Sequence, residues 1–274
     1  MSGSMELFYI PNVTGDHVVL ENEQYKHAIK AMRKRQGDTI QFTDGEGVIY
    51  DGTIQEIERR SATVHIQHRQ EAVPPEYQVT ICVSLTKNIK RIEWALEKIA
   101  EMGISRITPL ICNRSERTTF NRDRLTKILV SAMKQSQQAF LPTLDDPMTF
   151  MDVITSFNDK NQSDTSDNSD HTDASVSMRD DTDALLSMRD DSDQSKRPFC
   201  KYIAHKSPTS ISLKHNYTRG SNVVILIGPE GDFTEEELEL AGKANFTPLT
   251  LGHNRLRTET AAVVAVASVH AMNH

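Results

Sequence analysis

Between residues 6 and 70 the apolar positions come in short runs, at 7–10, 39–43, 48–50 and 62–66. Runs of this length, rich in β-branched and aromatic residues and bounded by turn residues, predict strands. Asp44-Gly45 predicts a turn between two of them. One stretch has a different period. From residue 24 to 35, Tyr25, Ala28, Ile29 and Met32 recur at helical spacing with lysines and arginines around the rest, which predicts a helix packed on a small barrel. Val73-Pro74-Pro75 then interrupts the chain as a linker would, and predicts a boundary between a domain at 5–72 and another at 76–274. In the second, strand patterns at 79–85, 107–112, 199–204, 223–227 and 247–251 alternate with helical ones at 91–102 and 122–140 and from Glu235 and Glu259. That alternation predicts an α/β fold.

Two segments depart from these patterns. The last helix is small and apolar all round, from Ala261 to Ala267, which predicts close packing against other elements or a second subunit, in a dimer. Residues 158–195 are Asp, Ser, Thr and Asn with almost nothing to bury, and Ser177-Met-Arg-Asp-Asp-Thr-Asp recurs ten residues later as Ser187-Met-Arg-Asp-Asp-Ser-Asp. This composition predicts a mobile acidic insertion. A calcium loop would need a glycine and a terminal glutamate that the tract lacks.

Charge changes the picture only once it is located. The chain carries a formal −7, but eleven aspartates against three basic residues give the tract −8, leaving the remainder at +1. Positive charge gathers at Lys26, Lys30, Arg33, Lys34 and Arg35, and again at Arg59, Arg60 and Arg69. Such clusters suit phosphates, although each taken alone is also an ordinary solvated face. Cys82, Cys112 and Cys200 sit in apolar runs without zinc spacing, which predicts reduced, buried thiols and no metal site. No run approaches the roughly twenty apolar residues of a membrane span, and the start lacks a signal peptide's order, so a cytoplasmic protein is expected. Met1-Ser2-Gly3-Ser4 ahead of Met5 reads as an expression remnant.

Two loops carry the candidate chemistry. Ile227-Gly228-Pro229-Glu230-Gly231-Asp232 follows a buried strand, and Thr234 with Glu237 then forms a capping box that starts a helix. The glycines let backbone amides approach a ligand beyond the strand's carboxyl end. An ordinary strand-to-helix turn would look similar, and the spacing fits neither the dinucleotide nor the P-loop pattern. Leu251-Gly252-His253-Asn254-Arg255-Leu256-Arg257-Thr258-Glu259-Thr260 is a second strand-loop-helix passage, with Thr258 a candidate cap. A long polar loop there requires partners for its backbone, which a bound adenosine would supply; pairing of Arg255 and Arg257 with surface acids is the alternative.

Taken together, Gly228-Pro-Glu-Gly-Asp-Phe and Leu251-Gly-x-x-x-Leu-Arg-Thr-Glu-Thr-Ala closely resemble the bacterial family that methylates N3 of a uridine in 16S ribosomal RNA, within the knotted SPOUT methyltransferases. The resemblance extends through His27-Ala-Ile-Lys-Ala-Met-Arg33, Gly37-Asp38, Lys87, Arg91, Glu97 to Gly103, Arg114-Ser115, and Gln135-Ser136 through Leu141-Pro142. It implies a PUA-like RNA-binding β-barrel followed by a SPOUT α/β domain with a C-terminal trefoil knot, forming a homodimer through the knotted region and acting on 16S rRNA or the assembled 30S subunit. It implies S-adenosylmethionine as cofactor, its adenosine held by the two loops, with Ile227, Gly228, Glu230, Gly231, Leu251, Gly252, Leu256, Arg257, Thr258 and Thr260 as the expected contacts. Lys26, Lys30, Arg33, Arg35, Lys87, Arg91 and Arg114 are the expected RNA contacts. Asp232 stands where the family usually has a second glycine, and Gln138 where it commonly has arginine.

Uridine N3 is a poor nucleophile until it loses its proton, and the resulting anion invites a cationic neighbour. Arg257, Arg91 and Arg114 are candidates for that role or for phosphate contact. Glu259, Glu230 and His205 are candidates for the proton acceptor, each with a structural role as the alternative. Methylation of another RNA nucleotide, and a non-catalytic RNA-binding dimer, are the competing functions.

Overall fold

The computed structural model describes residues 6–162 and 199–274, with side chains as far as residue 158 in the first segment. The acidic repeat at 177–193 and the first four residues lie outside the described residues. The chain begins with β1 (Leu7–Tyr9), β2 (His17–Glu21) and the short helix α1 (Asn22–Tyr25), which runs into a π-helical turn at Lys26–Ala31. β3 (Thr39–Thr43), β4 (Val48–Ile57) and β5 (Ser61–Glu71) complete a five-stranded sheet ordered β1-β3-β4-β5-β2. All its pairs are antiparallel except β1 with β3.

The expected barrel is open. No ladder joins β1 to β2 among the described residues, and a half-barrel results. The gap is plugged by the helical segment: Gln24 Nε2 donates to the Tyr9 carbonyl at 2.6 Å, while Tyr25 and Ala28 join Leu20, Ile40, Phe42 and Val64 in the core. A sheet edge covered by a helix does not need to be paired. That segment stops short of the predicted residue 35, because Arg33 turns left-handed at φ 56° and the Lys34 amide bonds back to the Ala28 carbonyl. β2, which the sequence patterns did not predict, buries only Val18 and Leu20 and leaves Val19 half exposed.

The second sheet is wholly parallel. β6 (Val79–Ser84), α2 (Ile89–Glu101), β7 (Arg106–Ile111), α3 (Arg122–Gln135), β8 (Thr143–Leu144), β9 (Met148–Thr149) and α4 (Phe150–Gln162) precede the undescribed tract. β10 (Phe199–Ala204), α5 (Leu213–Asn216), β11 (Asn222–Ile227), α6 (Glu235–Lys243), β12 (Thr247–Leu249) and α7 (Thr258–Asn273) follow it. The order β12-β10-β11-β6-β7, with β8 and β9 both on β7, puts β6 and β11 in the middle, buried along their whole length. Burial on both faces is the rule for parallel sheets and explains the unbroken apolar runs. α2, α3 and α7 contribute to the core on one face, α4 and α6 to that on the other.

α4 was not predicted. Phe150, Val153, Ile154 and Phe157 lie at helical spacing and are buried, and the helix continues through residues 158–162, the start of the expected insertion. Lys201 on β10 ties this helix down, with its Nζ donating to the Phe157 carbonyl at 3.2 Å, Asn158 Oδ1 at 3.1 Å and the Ala244 carbonyl at 2.9 Å. Burial pushes its pKa down, but three acceptors meet all three of its hydrogens. Cys82 and Cys112 are buried and Cys200 only half-buried, and none of the three is in a disulfide. Burial above all raises the Cys112 pKa far above the ordinary range.

The two sheets are joined by a hydrogen-bonded seam. The Gly47 amide donates to the Ala139 carbonyl at 3.1 Å, the Leu141 amide to the Gly45 carbonyl at 2.8 Å, and Thr43 Oγ1 to the Ala139 carbonyl at 3.1 Å. Gly47 is left-handed at φ 111°, and a β-carbon there would lie 2.5 Å from the Phe140 ring. Gly47→Ala is therefore expected to destabilise the protein by about 1–3 kcal/mol, read as a lowered Tm by calorimetry. A second expectation concerns pH. His270 on α7 pairs its Nδ1 with the Tyr77 hydroxyl at 2.6 Å, and burial, then His274, hold its pKa below the ordinary 6.5. The unfolded chain binds that proton more readily, so stability should fall as pH drops through about 6.5. His270→Asn should flatten this decline in urea melts compared between pH 5.5 and 7.5.

Candidate active site

β10, β11 and β12 end together, with Ala204 in register with both Ile227 and Leu249. The loops leaving these ends enclose a cavity of about 500 Å³. This is the expected position for a ligand in an α/β sheet. Ile227, Leu249, Leu251, Leu256 and Ala261 give it apolar walls.

Each loop has a local reason for its shape. After β11 the chain turns through Gly228, where a β-carbon would sit 2.9 Å from the Phe233 ring, and Phe233 is buried. Asp232 is left-handed at φ 64°, a conformation that aspartate tolerates better than most residues, so the loop keeps its course without glycine. α6 starts at the predicted capping box, in which Thr234 Oγ1 accepts from the Glu237 amide and Glu237 Oε2 accepts from the Thr234 amide at 2.8 Å. The other oxygen of this buried carboxylate accepts from the Asn113 amide at 2.8 Å. Arg114 extends the same brace: its Nη1 donates to the Gly231 and Phe233 carbonyls, and its stem packs on Gly231.

The second loop is fastened to the first. Thr258 Oγ1 donates to the Gly228 carbonyl and Arg255 Nη2 to the Glu230 carbonyl, both at 3.0 Å. The cap of α7 is thus Arg257 and not Thr258, whose hydroxyl is engaged across the cavity instead. Arg257 is exposed, lines the cavity and has no partner among the described residues. The amides of Leu251 and Leu256 likewise find no acceptor among them.

Of the expected cofactor contacts, Ile227, Gly228, Glu230, Leu251, Gly252, Leu256, Arg257 and Thr258 line the cavity, while Gly231 and Thr260 do not. Gly231 faces Arg114, and Thr260 sits half-buried on α7. The structure adds His205 and Lys206 from the end of β10, which no motif marked beyond a lone histidine after a strand. Asp232 and Asn254 also join the lining. Glu259 is placed differently from Glu230. Its side chain is 8% exposed, outside the lining, with Oε1 3.8 Å from Arg91 Nε and Oε2 buried without a partner.

The expected RNA residues fall into two groups. Lys26 pairs with Glu23, Lys30 lies over the Tyr25 ring, and Lys87 pairs with Glu116. Arg33 and Arg35 are exposed with no side-chain partner among the described residues. An apolar-walled cavity with free backbone donors and charges of both signs fits an adenosine that carries a sulfonium and an amino-acid tail, so the residues present suit S-adenosylmethionine.

Residues 73–270 match the family model of an RNA methyltransferase domain, and residues 20–67 that of an RNA methyltransferase PUA domain. The chain belongs to this RNA methyltransferase family. It is similar to a probable rRNA-methyltransferase from Porphyromonas gingivalis, with 30% identity, a TM-score of 0.78 and 98% of each chain covered. A ribosomal RNA small subunit methyltransferase E from Neisseria gonorrhoeae, solved with S-adenosyl methionine, shares the fold at TM-score 0.75, 23% identity and 98% coverage of each chain. The methyltransferase of that name from Rickettsia conorii is 25% identical over 254 residues, 92% of this chain and 88% of its own.

Because the buried Glu237 carboxylate ties the start of α6 to the Asn113 backbone, Glu237→Ala should cost about 2–3 kcal/mol and loosen the 228–232 loop. Faster amide exchange at residues 231–234, with the strands unchanged, is the expected signature.

Proposed function

We propose that this protein methylates N3 of a uridine in 16S ribosomal RNA of the small subunit, using S-adenosylmethionine. The observation that carries this reading is the pair of mutually fastened loops around the cavity, with an unpaired arginine at its edge. When bound, S-adenosylmethionine supplies an activated methyl group on its sulfonium. The chain must then align the uracil ring, exclude water and manage the N3 proton.

Ile227, Gly228, Leu251, Gly252, Leu256 and Thr258 would hold the adenosine, the apolar walls facing the base and the free amides its polar edge. Arg257, with no internal partner, is placed to stabilise the uracil anion left when N3 loses its proton. Among the three candidate proton acceptors, Glu230 and His205 line the cavity and Glu259 does not. Glu259 instead faces Arg91, whose remaining donors are free for an RNA phosphate. Arg33 and Arg35 in the N-terminal sheet would bind a further stretch of the same RNA.

The same reading divides the chain into an RNA-binding domain at 5–72 and a methyltransferase domain at 76–274. Its C-terminal part would form a trefoil knot: the chain leaves edge strand β12, passes the 228–232 loop and packs α7 against α2 and β6. It also makes the enzyme a homodimer through this region. Thr260, Val263, Val264, Ala267 and Ser268 form a half-exposed stripe of small residues on α7, and Trp94 stands 48% exposed on the neighbouring α2. No helix among the described residues is long and apolar enough to cross a membrane. An enzyme acting on 30S particles would work in the cytoplasm.

Incubation with labelled S-adenosylmethionine and 30S subunits from cells lacking the modification should place label on N3 of one uridine in 16S RNA. Label on another RNA or atom would replace the substrate, and absence of transfer would favour a non-catalytic RNA-binding dimer. Arg257→Ala should lower kcat by about 10²-fold or more and RNA affinity far less; equal loss of both would remove its catalytic role.

A further inference from the structure

Asp232 occupies a backbone conformation that favours glycine, yet it presents a charged side chain to the cavity. Its Oδ1 accepts from the Phe233 amide at 2.8 Å and its Oδ2 lies 3.1 Å from His205 Nδ1. These contacts fix the carboxylate between the ends of β10 and β11 while leaving the side chain 42% exposed.

The charges lining the cavity are few. Lys206, Arg255 and Arg257 are positive, Glu230 and Asp232 negative. Lys206 Nζ and Arg255 Nη2 each donate to a backbone carbonyl, of His253 and Glu230 respectively, so no carboxylate neutralises them there. Asp232 therefore supplies half of the negative charge in a lining whose three positive and two negative groups leave a formal net charge of +1, which would rise to +2 without it.

If the cavity binds S-adenosylmethionine, as the function proposed above requires, it meets two nearly identical molecules. The donor carries a permanent positive charge on sulfur; the spent product, S-adenosylhomocysteine, is a neutral thioether with every other group the same. Hydrogen bonds and apolar contacts to the shared groups cannot separate them strongly. A fixed carboxylate can. We infer that Asp232 is a specificity-determining residue that makes the site prefer the sulfonium donor to the thioether product, with His205 holding the carboxylate in place.

At a separation of about 10 Å, with screening between that of a protein surface and that of water, one charge–charge interaction corresponds to about fivefold in affinity. Calorimetric Kd values for both ligands, at low salt, test this in the full-length protein and two variants. Asp232→Asn keeps one oxygen for the Phe233 amide, turns its NH2 to His205 Nδ1, which can accept in the other tautomer, and tolerates the left-handed backbone; Asp232→Gly relieves that conformation altogether. Both should lower the ratio of product Kd to donor Kd by about fivefold, mainly through weaker donor binding. An unchanged ratio in Asp232→Asn would overturn the inference, whether or not Asp232→Gly alters it, since the glycine effect would then come from loop geometry. If the unaltered protein binds neither ligand, the proposed cofactor itself is wrong and the inference falls with it.

Discussion

The cavity exists because two loops some thirty residues apart are fastened to each other by side chains of the second and carbonyls of the first. Thr258 to Gly228 and Arg255 to Glu230 are single hydrogen bonds, each of modest net worth in water. Their effect exceeds that figure because everything behind them is already rigid. β11 is buried along its length, Glu237 joins α6 to the Asn113 amide, and Arg114 packs against Gly231. A loop held at both ends and braced from behind has little conformational freedom left to lose when a ligand arrives, and preorganisation of this kind is where binding free energy is conserved.

Much of this was legible beforehand, and the reasons are specific. Long apolar runs such as Val223 to Ile227 admit few readings, and the Thr234–Glu237 capping box is a local motif whose geometry does not depend on the rest of the fold. The two loops were expected to form a ligand site because their sequences resemble those of a known family, whereas spacing alone left an ordinary turn equally open. Elements that depend on distant contacts were not legible. β2 exposes three of its five residues, and α4 adjoins in sequence the acidic tract whose composition obscured it. Thr258 looked like a cap from its sequence position, yet its hydroxyl is drawn across the cavity by a carbonyl thirty residues earlier. The direction in which Glu259 points is likewise set by Arg91 on another helix, which no local pattern records.

The seam between the sheets has a similar character. Gly45 and Gly47 bring the turn between β3 and β4 against residues 139–141, where the backbone groups of one side satisfy those of the other. A contact made of main-chain hydrogen bonds and a ring over a glycine resists sliding more than one made of long surface side chains. The basic residues at 33 and 35 are consequently held at a fixed place relative to the cavity, as an enzyme needs if it recognises a substrate at two separated points.

Lys201 leads to a different conclusion. By joining β10 to the residues at 157 and 158, it closes the base of the long excursion between them from inside the core. A change of length between these two points therefore leaves the joint itself intact, and the seven-residue motif that recurs at ten-residue spacing within 177–193 is a sequence change of a kind that such a position can absorb while catalysis is selected elsewhere.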